Sequence, residues 1–102
     1  MPEEKRGAPR FVARDRIPVH YPEFEPLICD LSEAGAFIED RRPFRAGQTF
    51  RLRIPREEGA IDILAMVRRA DPGHGMGVEF LEMSYSSREH LRKLVNHLSR
   101  SA

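Results

Sequence analysis

Apolar and polar residues alternate with a period of two along most of this chain. In the segment TFRLRI, residues 49–54, Phe50, Leu52 and Ile54 fall on one face and two arginines fall on the other. The longer segment AIDILAMVRRAD, residues 60–71, alternates in the same way. Since successive side chains of a strand point to opposite faces, this pattern predicts antiparallel strands that each bury one face.

Turn-forming residues divide the alternating region into short strands. We predict six strands, at residues 11–21, 24–32, 36–40, 49–54, 60–71 and 76–83. Pro18 has no N–H to donate, so the first strand is predicted to lie at an edge or to contain a bulge. In the second strand, the alternation predicts that Leu27, Cys29 and Leu31 share one face. Cys29 is predicted to be a small hydrophobic core residue.

The period changes after the last strand. Ser86 and Glu89 have the spacing of a capping box, in which each side chain bonds to the backbone of the other residue. An apolar stripe follows at helical spacing, formed by Leu91, Leu94, Val95 and Leu98. The stripe needs a sheet to pack on, so a helix is predicted to run to about Ser99. The predicted fold class is all-β, a six-stranded antiparallel β-barrel with a C-terminal α-helix packed against it.

The chain is 102 residues long, which suits one domain with one modest core. We predict a flexible N-terminal arm at residues 1–10, the barrel at residues 11–83 and the helix at residues 84–102. The first residues are charged and no window is long enough to span a bilayer, so we expect neither a secretory signal nor a membrane span. Cys29 is the only cysteine, and a reducing cytoplasm is the expected location.

Two short polar motifs have no obvious role in the core. Arg6 and Arg10 form an RxxxR motif before the first strand, and Asp30, Ser32 and Gly35 form a DxSxxG motif that begins at the end of the second. If the first two strands form a hairpin that turns near Pro22, Arg10 lies beside residues 30–35. The two motifs are therefore predicted to meet at one end of the barrel.

This combination resembles the PilZ domain family. RxxxR, DxSxxG about twenty residues later, GMGVEF in the last strand and the terminal helix all fit the family pattern, and no signature position is substituted. The resemblance implies a six-stranded β-barrel that binds the bacterial second messenger cyclic di-GMP. It also implies that the ligand contacts Arg6, Arg10, Asp30, Ser32 and Gly35.

The chemistry of these residue types supports that ligand. Arginine binds phosphate oxygens or the O6/N7 edge of guanine with two N–H groups, and it stacks on a base. Asp30 can accept from guanine N–H groups, and Ser32 can donate or accept at a neighbouring edge. Gly35 allows a sharp turn with positive φ and a close approach of a base to the backbone.

The resemblance also bears on the number of bound ligands and on the effect of binding. A basic residue directly before RxxxR, here Lys5, accompanies binding of an intercalated cyclic di-GMP dimer, so two ligands per domain are expected. No other cofactor and no metal is expected, because the four histidines lack metal-ligand spacing. Binding is expected to order the arm and to relay the signal to an effector protein, in regulation such as that of motility or exopolysaccharide synthesis.

Three other functions fit the sequence less well. Nothing resembles a nucleophile with its base, a carboxylate dyad or a phosphate loop, so no enzyme is predicted. A small-barrel RNA-binding protein could use the basic run Arg41–Arg56, but the net charge of +1 and the absence of tryptophan argue against nucleic acid as a partner. A PilZ-like adaptor that binds proteins without nucleotide would generally have lost one of the two motifs, and here both are intact.

Overall fold

The computed structural model describes residues 9–21 and 26–101, apart from the side chains of Asp15 and Ser101. Six antiparallel strands and one helix make up this part of the chain. They are β1 (Phe11–Pro18), β2 (Leu27–Leu31), β3 (Gly35–Glu39), β4 (Thr49–Ile54), β5 (Ile61–Asp71), β6 (Gly75–Met83) and α1 (Tyr85–Ser101).

The six strands form one sheet in the order β1-β2-β3-β6-β5-β4, which confirms the all-β class with a C-terminal helix. The sheet is not closed into the predicted barrel. Its two edges meet at an isolated bridge, in which His20 N donates to Arg53 O at 2.7 Å and Arg53 N donates to His20 O at 2.8 Å. β1 ends at Pro18, which has no N–H to donate to a ladder, and within residues 9–21 and 26–101 the two edges share no other bridge.

The predicted alternation is confirmed in β4 and β5 and is wrong in β2. Leu27 is exposed, whereas Ile28 and Leu31 are fully buried. The register shifts between Ile28 and Asp30 in the pairing with β3, and it shifts between Val12 and Ile17 in the pairing with β1. These bulges break the strict period of two, so Cys29 is only half-buried and is not a core residue.

The helix begins at Tyr85, slightly earlier than the capping pattern predicted. Ser84 Oγ accepts from Ser87 N at 3.0 Å, so Ser84 is the N-cap and the predicted Ser86–Glu89 capping box is wrong. Ser87 Oγ instead accepts from Asp62 N at 3.0 Å and ties the helix to β5. The predicted stripe faces the sheet, and its leucine and valine side chains at positions 91, 94 and 95 are buried. Among the described residues, no helix is long and apolar enough to cross a membrane.

Candidate functional site

The first hairpin brings the end of RxxxR to the start of DxSxxG. Phe11 pairs with Leu31 and Val12 pairs with Asp30, so the residue before β1 lies beside the end of β2. There Arg10 Nη1 donates to Asp30 Oδ1 at 3.2 Å. Arg10 and Asp30 therefore meet as the hairpin geometry predicted. The other predicted ligand residues of the arm, Lys5 and Arg6, lie outside the described residues.

The Arg10–Asp30 ion pair is open to solvent. The side chain of Arg10 is 51% exposed and that of Asp30 is 26% exposed. An exposed ion pair contributes only about 0–1 kcal/mol, because water solvates both groups and the side chains lose entropy. A ligand that offers a phosphate to the guanidinium and N–H donors to the carboxylate could therefore replace this contact at little cost.

Ser32 forms the turn between β2 and β3. Its Oγ accepts from the backbone N of Ala34 and of Gly35, each at 3.0 Å, and donates to Gly35 O at 3.3 Å. The backbone N of Ser32 also donates to Gly35 O, at 2.9 Å. The residue is 1% exposed. In this structure the hydroxyl therefore holds the shape of the turn that follows Asp30.

Gly35 is required by a close approach between strands. It is not among the described glycines with positive φ, so the expected sharp left-handed turn at this position is wrong. Gly35 is the first residue of β3 and lies opposite Glu79 of β6. A Cβ on Gly35 would collide with the backbone oxygen of Val78, so the absence of a side chain lets β3 and β6 pair.

A row of residues extends across the sheet from Asp30. Asp30 pairs with Phe37, Phe37 pairs with Gly77 and Gly77 pairs with Arg69, across β2, β3, β6 and β5. Nothing lies within 4 Å of the position that a Cβ on Gly77 would take. The row thus places an acceptor, an aromatic residue, open backbone and an arginine on neighbouring strands. No sequence motif indicated this row, since only the sheet order shows that β3 and β6 are neighbours.

The basic run Arg41–Arg56 is partly neutralised in the fold. Arg53 forms two hydrogen bonds to the carboxylate of Asp62, from Nε at 2.8 Å and from Nη2 at 3.2 Å. Arg51 is exposed on the same strand. In the part of the chain that the structure describes, no group of three or more His, Cys, Asp or Glu side chains could hold a metal ion.

Cys29 lies next to Asp30 and provides a chemical probe of this end of the sheet. Burial, and then the nearby carboxylates of Asp30 and Glu39, raise the pKa of the Cys29 thiol. A raised pKa leaves less thiolate, which is the reactive form, at any pH below it.

We therefore expect Cys29 to react with Ellman's reagent roughly several-fold more slowly in the folded protein than in the urea-unfolded chain at about pH 8. The rate should increase as the pH is raised, because the thiolate fraction then grows. Absorbance at matched pH measures both rates. Equal rates in the folded and unfolded chains would contradict the environment described for Cys29.

The sheet order, the helix after the last strand and the charged pair at the β1–β2 end define a small all-β domain with a polar site on one end. The family model described as PilZ domain matches residues 3–97, so the chain belongs to the PilZ domain family. A comparison with curated proteins gives no match.

Solved PilZ structures share this fold. The Bacillus subtilis inhibitor of motility, MotI/DgrA, is 26% identical with a TM-score of 0.68, and the alignment covers 92% of this chain and 49% of that one. The chain therefore spans about half the length of MotI/DgrA. The PilZ domain of Escherichia coli YcgR, solved with c-di-GMP, is 16% identical with a TM-score of 0.71, and the alignment covers 92% of this chain and 91% of that one.

Proposed function

We propose that this domain is a receptor for cyclic di-GMP rather than an enzyme, and that the ligand binds at the end of the sheet marked by Arg10 and Asp30. The observation that carries the proposal is the 3.2 Å contact between these side chains, because it joins the two ligand motifs of the family. Membership of the PilZ family and the likeness to a PilZ domain solved with c-di-GMP support the choice of ligand.

Each residue has a distinct task in the proposed complex. Arg10, with Arg6 and Lys5 of the arm, binds the phosphates or the O6/N7 edge of guanine. Asp30 accepts from guanine N–H groups, which only a group with free acceptor oxygens can do. Ser32 and Gly35 hold the turn that presents Asp30. Both are buried in this structure, so the ligand contacts that the family pattern implies for them require this turn to shift in the complex.

Calorimetric titration of the purified protein tests this function. We expect saturable binding of cyclic di-GMP, with GTP and a short RNA as controls that bind far more weakly. Two ligands per chain are expected, since Lys5 adds positive charge for the four phosphates of an intercalated pair. A stoichiometry of one ligand per chain would refute binding of an intercalated pair, but not binding of cyclic di-GMP itself. Tighter binding of RNA would favour the small-barrel alternative, and failure to bind any nucleotide would favour the adaptor.

The relay of the signal is proposed to use the arm. The predicted arm falls mostly on residues 1–8, which lie outside the described residues. Ligand phosphates give its basic side chains partners, so closure of the arm over the end of the sheet would change the surface that an effector protein meets. A pull-down with and without cyclic di-GMP would identify the effector.

Hydrogen exchange measures this closure. On addition of cyclic di-GMP, amides of residues 3–10 and 30–36 should gain protection, because both segments contact the ligand. The segment Ile61–Val67 of β5 lies between β6 and β4 and should change little. If residues 3–10 are equally protected without ligand, the site is preformed and the arm does not act as a switch.

A further inference from the structure

A cavity with several charged side chains in its walls lies between the β4–β5 loop, residues 55–60, and the helix α1. Its volume is about 400 Å³, and its walls include Arg56, Glu58, His90, Lys93, Asn96 and Arg100. None of the residues that line it belongs to the Arg10–Asp30 site. Arg92, elsewhere on α1, instead approaches Glu33 of the β2–β3 turn at 4.0 Å. The cavity is thus a separate feature of the domain, which we call the helix-flank cavity.

A tight turn fixes one wall of the helix-flank cavity. Gly59 N donates to Arg56 O at 3.3 Å, and Gly59 has a φ of 150°. The backbone at Gly59 packs on the ring of His90, because a Cβ there would lie only 2.5 Å from His90 Cε1. This packing holds the loop against the helix, so Arg56 shares the cavity with the basic residues of α1.

The charges around the helix-flank cavity are unbalanced. Arg56, Lys93 and Arg100 line it, and none of the three has an ion-pair partner among the described residues. Glu58 is the one carboxylate among the described lining residues. In addition, Nδ1 of His90 is buried and has no hydrogen-bond partner within the described part of the chain. Three unpaired cations around one concave surface favour an anion there.

We propose that the helix-flank cavity binds a small phosphate-bearing molecule of about nucleotide size. The volume lies within the range of about 300–1,000 Å³ that is typical of small-molecule sites. The guanidinium groups of Arg56 and Arg100 can each donate two hydrogen bonds to phosphate oxygens, and Lys93 adds a third positive charge. Leu94 also lines the cavity with only 4% of its surface exposed, so it offers the rest of the ligand a small apolar contact.

The proposal is tested by substitutions that remove either a positive or a negative charge from the cavity, because the two kinds should change the affinity in opposite directions. The probe is adenosine 5′-monophosphate, titrated into the isotopically labelled domain and followed by amide chemical shifts. Lys93→Gln and Arg56→Gln should each weaken binding roughly 5- to 10-fold, since each removes one partly exposed charge-assisted contact. Glu58→Gln should strengthen binding by roughly 2- to 5-fold, because it removes the opposing charge. These three residues are exposed, so the variants should fold.

Arg92→Gln is the matched control, because Arg92 lies on the same helix but faces Glu33 and Glu89. The affinity of the Arg92→Gln variant for the probe should equal that of the parent protein. The amide chemical-shift changes on binding should be confined to residues 55–60 and the helix. Non-saturable binding, or equal weakening by Arg92→Gln, would refute the site. Tighter binding of a glutamate-rich peptide than of the nucleotide would also overturn the assignment and indicate an acidic protein segment.

The two proposed sites can be tested independently. Arg10→Ala should leave binding of adenosine 5′-monophosphate in the helix-flank cavity unchanged, because Arg10 does not line that cavity. Inorganic phosphate serves as a second probe. Competition between it and the nucleotide would support recognition of the phosphoryl group, and lack of competition would contradict it. Absence of cyclic di-GMP binding would refute the proposed function without affecting this result.

Discussion

Replacing Arg10 by alanine is expected to weaken cyclic di-GMP binding on the order of 10- to 100-fold while the fold is retained. A hydrogen bond to a charged group is worth roughly 1.5–3 kcal/mol, and each 1.4 kcal/mol corresponds to about a tenfold change in affinity. The substitution should lower the stability of the folded protein little, because the Arg10 side chain is half-exposed and precedes β1. Calorimetry on the variant and the parent protein measures the difference.

Arg14 provides the matched control for this experiment. It is an exposed arginine in β1, four residues further along the chain. Arg14→Ala should bind with parental affinity, whereas Arg6→Ala and Asp30→Ala should lose affinity as Arg10→Ala does. Unchanged affinity in all three site variants would show that the ligand binds elsewhere. Comparison of the double variant of Arg10 and Asp30 with the two single variants would measure the coupling free energy of these side chains in ligand binding.

Replacing Gly35 by alanine is expected to lower the free energy of unfolding by roughly 3 kcal/mol. The added Cβ would overlap the backbone oxygen of Val78, so β3 and β6 would have to move apart. The overlap is with backbone atoms, so no flexible side chain can move aside to relieve it. For a domain of this size, 1 kcal/mol lowers Tm by roughly 4–8 °C, so the expected fall is roughly 12–24 °C. Thermal and urea unfolding followed by circular dichroism measure it.

Gly77 is the control for Gly35. It lies in β6, but a Cβ at Gly77 would meet nothing within 4 Å, and its φ is not in the positive range. Gly77→Ala should leave stability unchanged or raise it by roughly 0.4–1 kcal/mol, because alanine restricts the unfolded chain. A small, equal effect at both glycines would contradict the close approach described for β3 and β6.

Local periodicity predicted much of the fold correctly. The alternation in β4 and β5 and the apolar stripe of α1 follow from the geometry of a single strand or helix, in which the period alone decides which side chains share a face. Together with the two polar motifs, these patterns were enough to predict an all-β domain of the PilZ family with a terminal helix. The meeting of Arg10 with Asp30 was also predictable, because it needs only a hairpin between consecutive strands.

The predictions were wrong where the conformation of one strand or helix depends on its contacts with another. Bulges against β1 and β3 place Ile28 rather than Leu27 in the core and leave Cys29 half-buried. Several serines could start α1, and Ser84 caps the helix while Ser87 bonds to β5. Local spacing could not rank these choices, since the free energy that decides between them comes from contacts with other strands.

The sequence by itself determined the type of each element, the buried faces of the regular strands and the meeting of Arg10 with Asp30. Only the tertiary structure decided that the sheet is not a closed barrel although its edges meet at the His20–Arg53 bridge, and that Gly35 is needed for packing against Val78. The tertiary structure likewise brought the β4–β5 loop to the helix to form the helix-flank cavity. The physical reason is the range of the interactions: periodicity reflects neighbours along the chain, whereas strand order and spacing reflect contacts between distant segments.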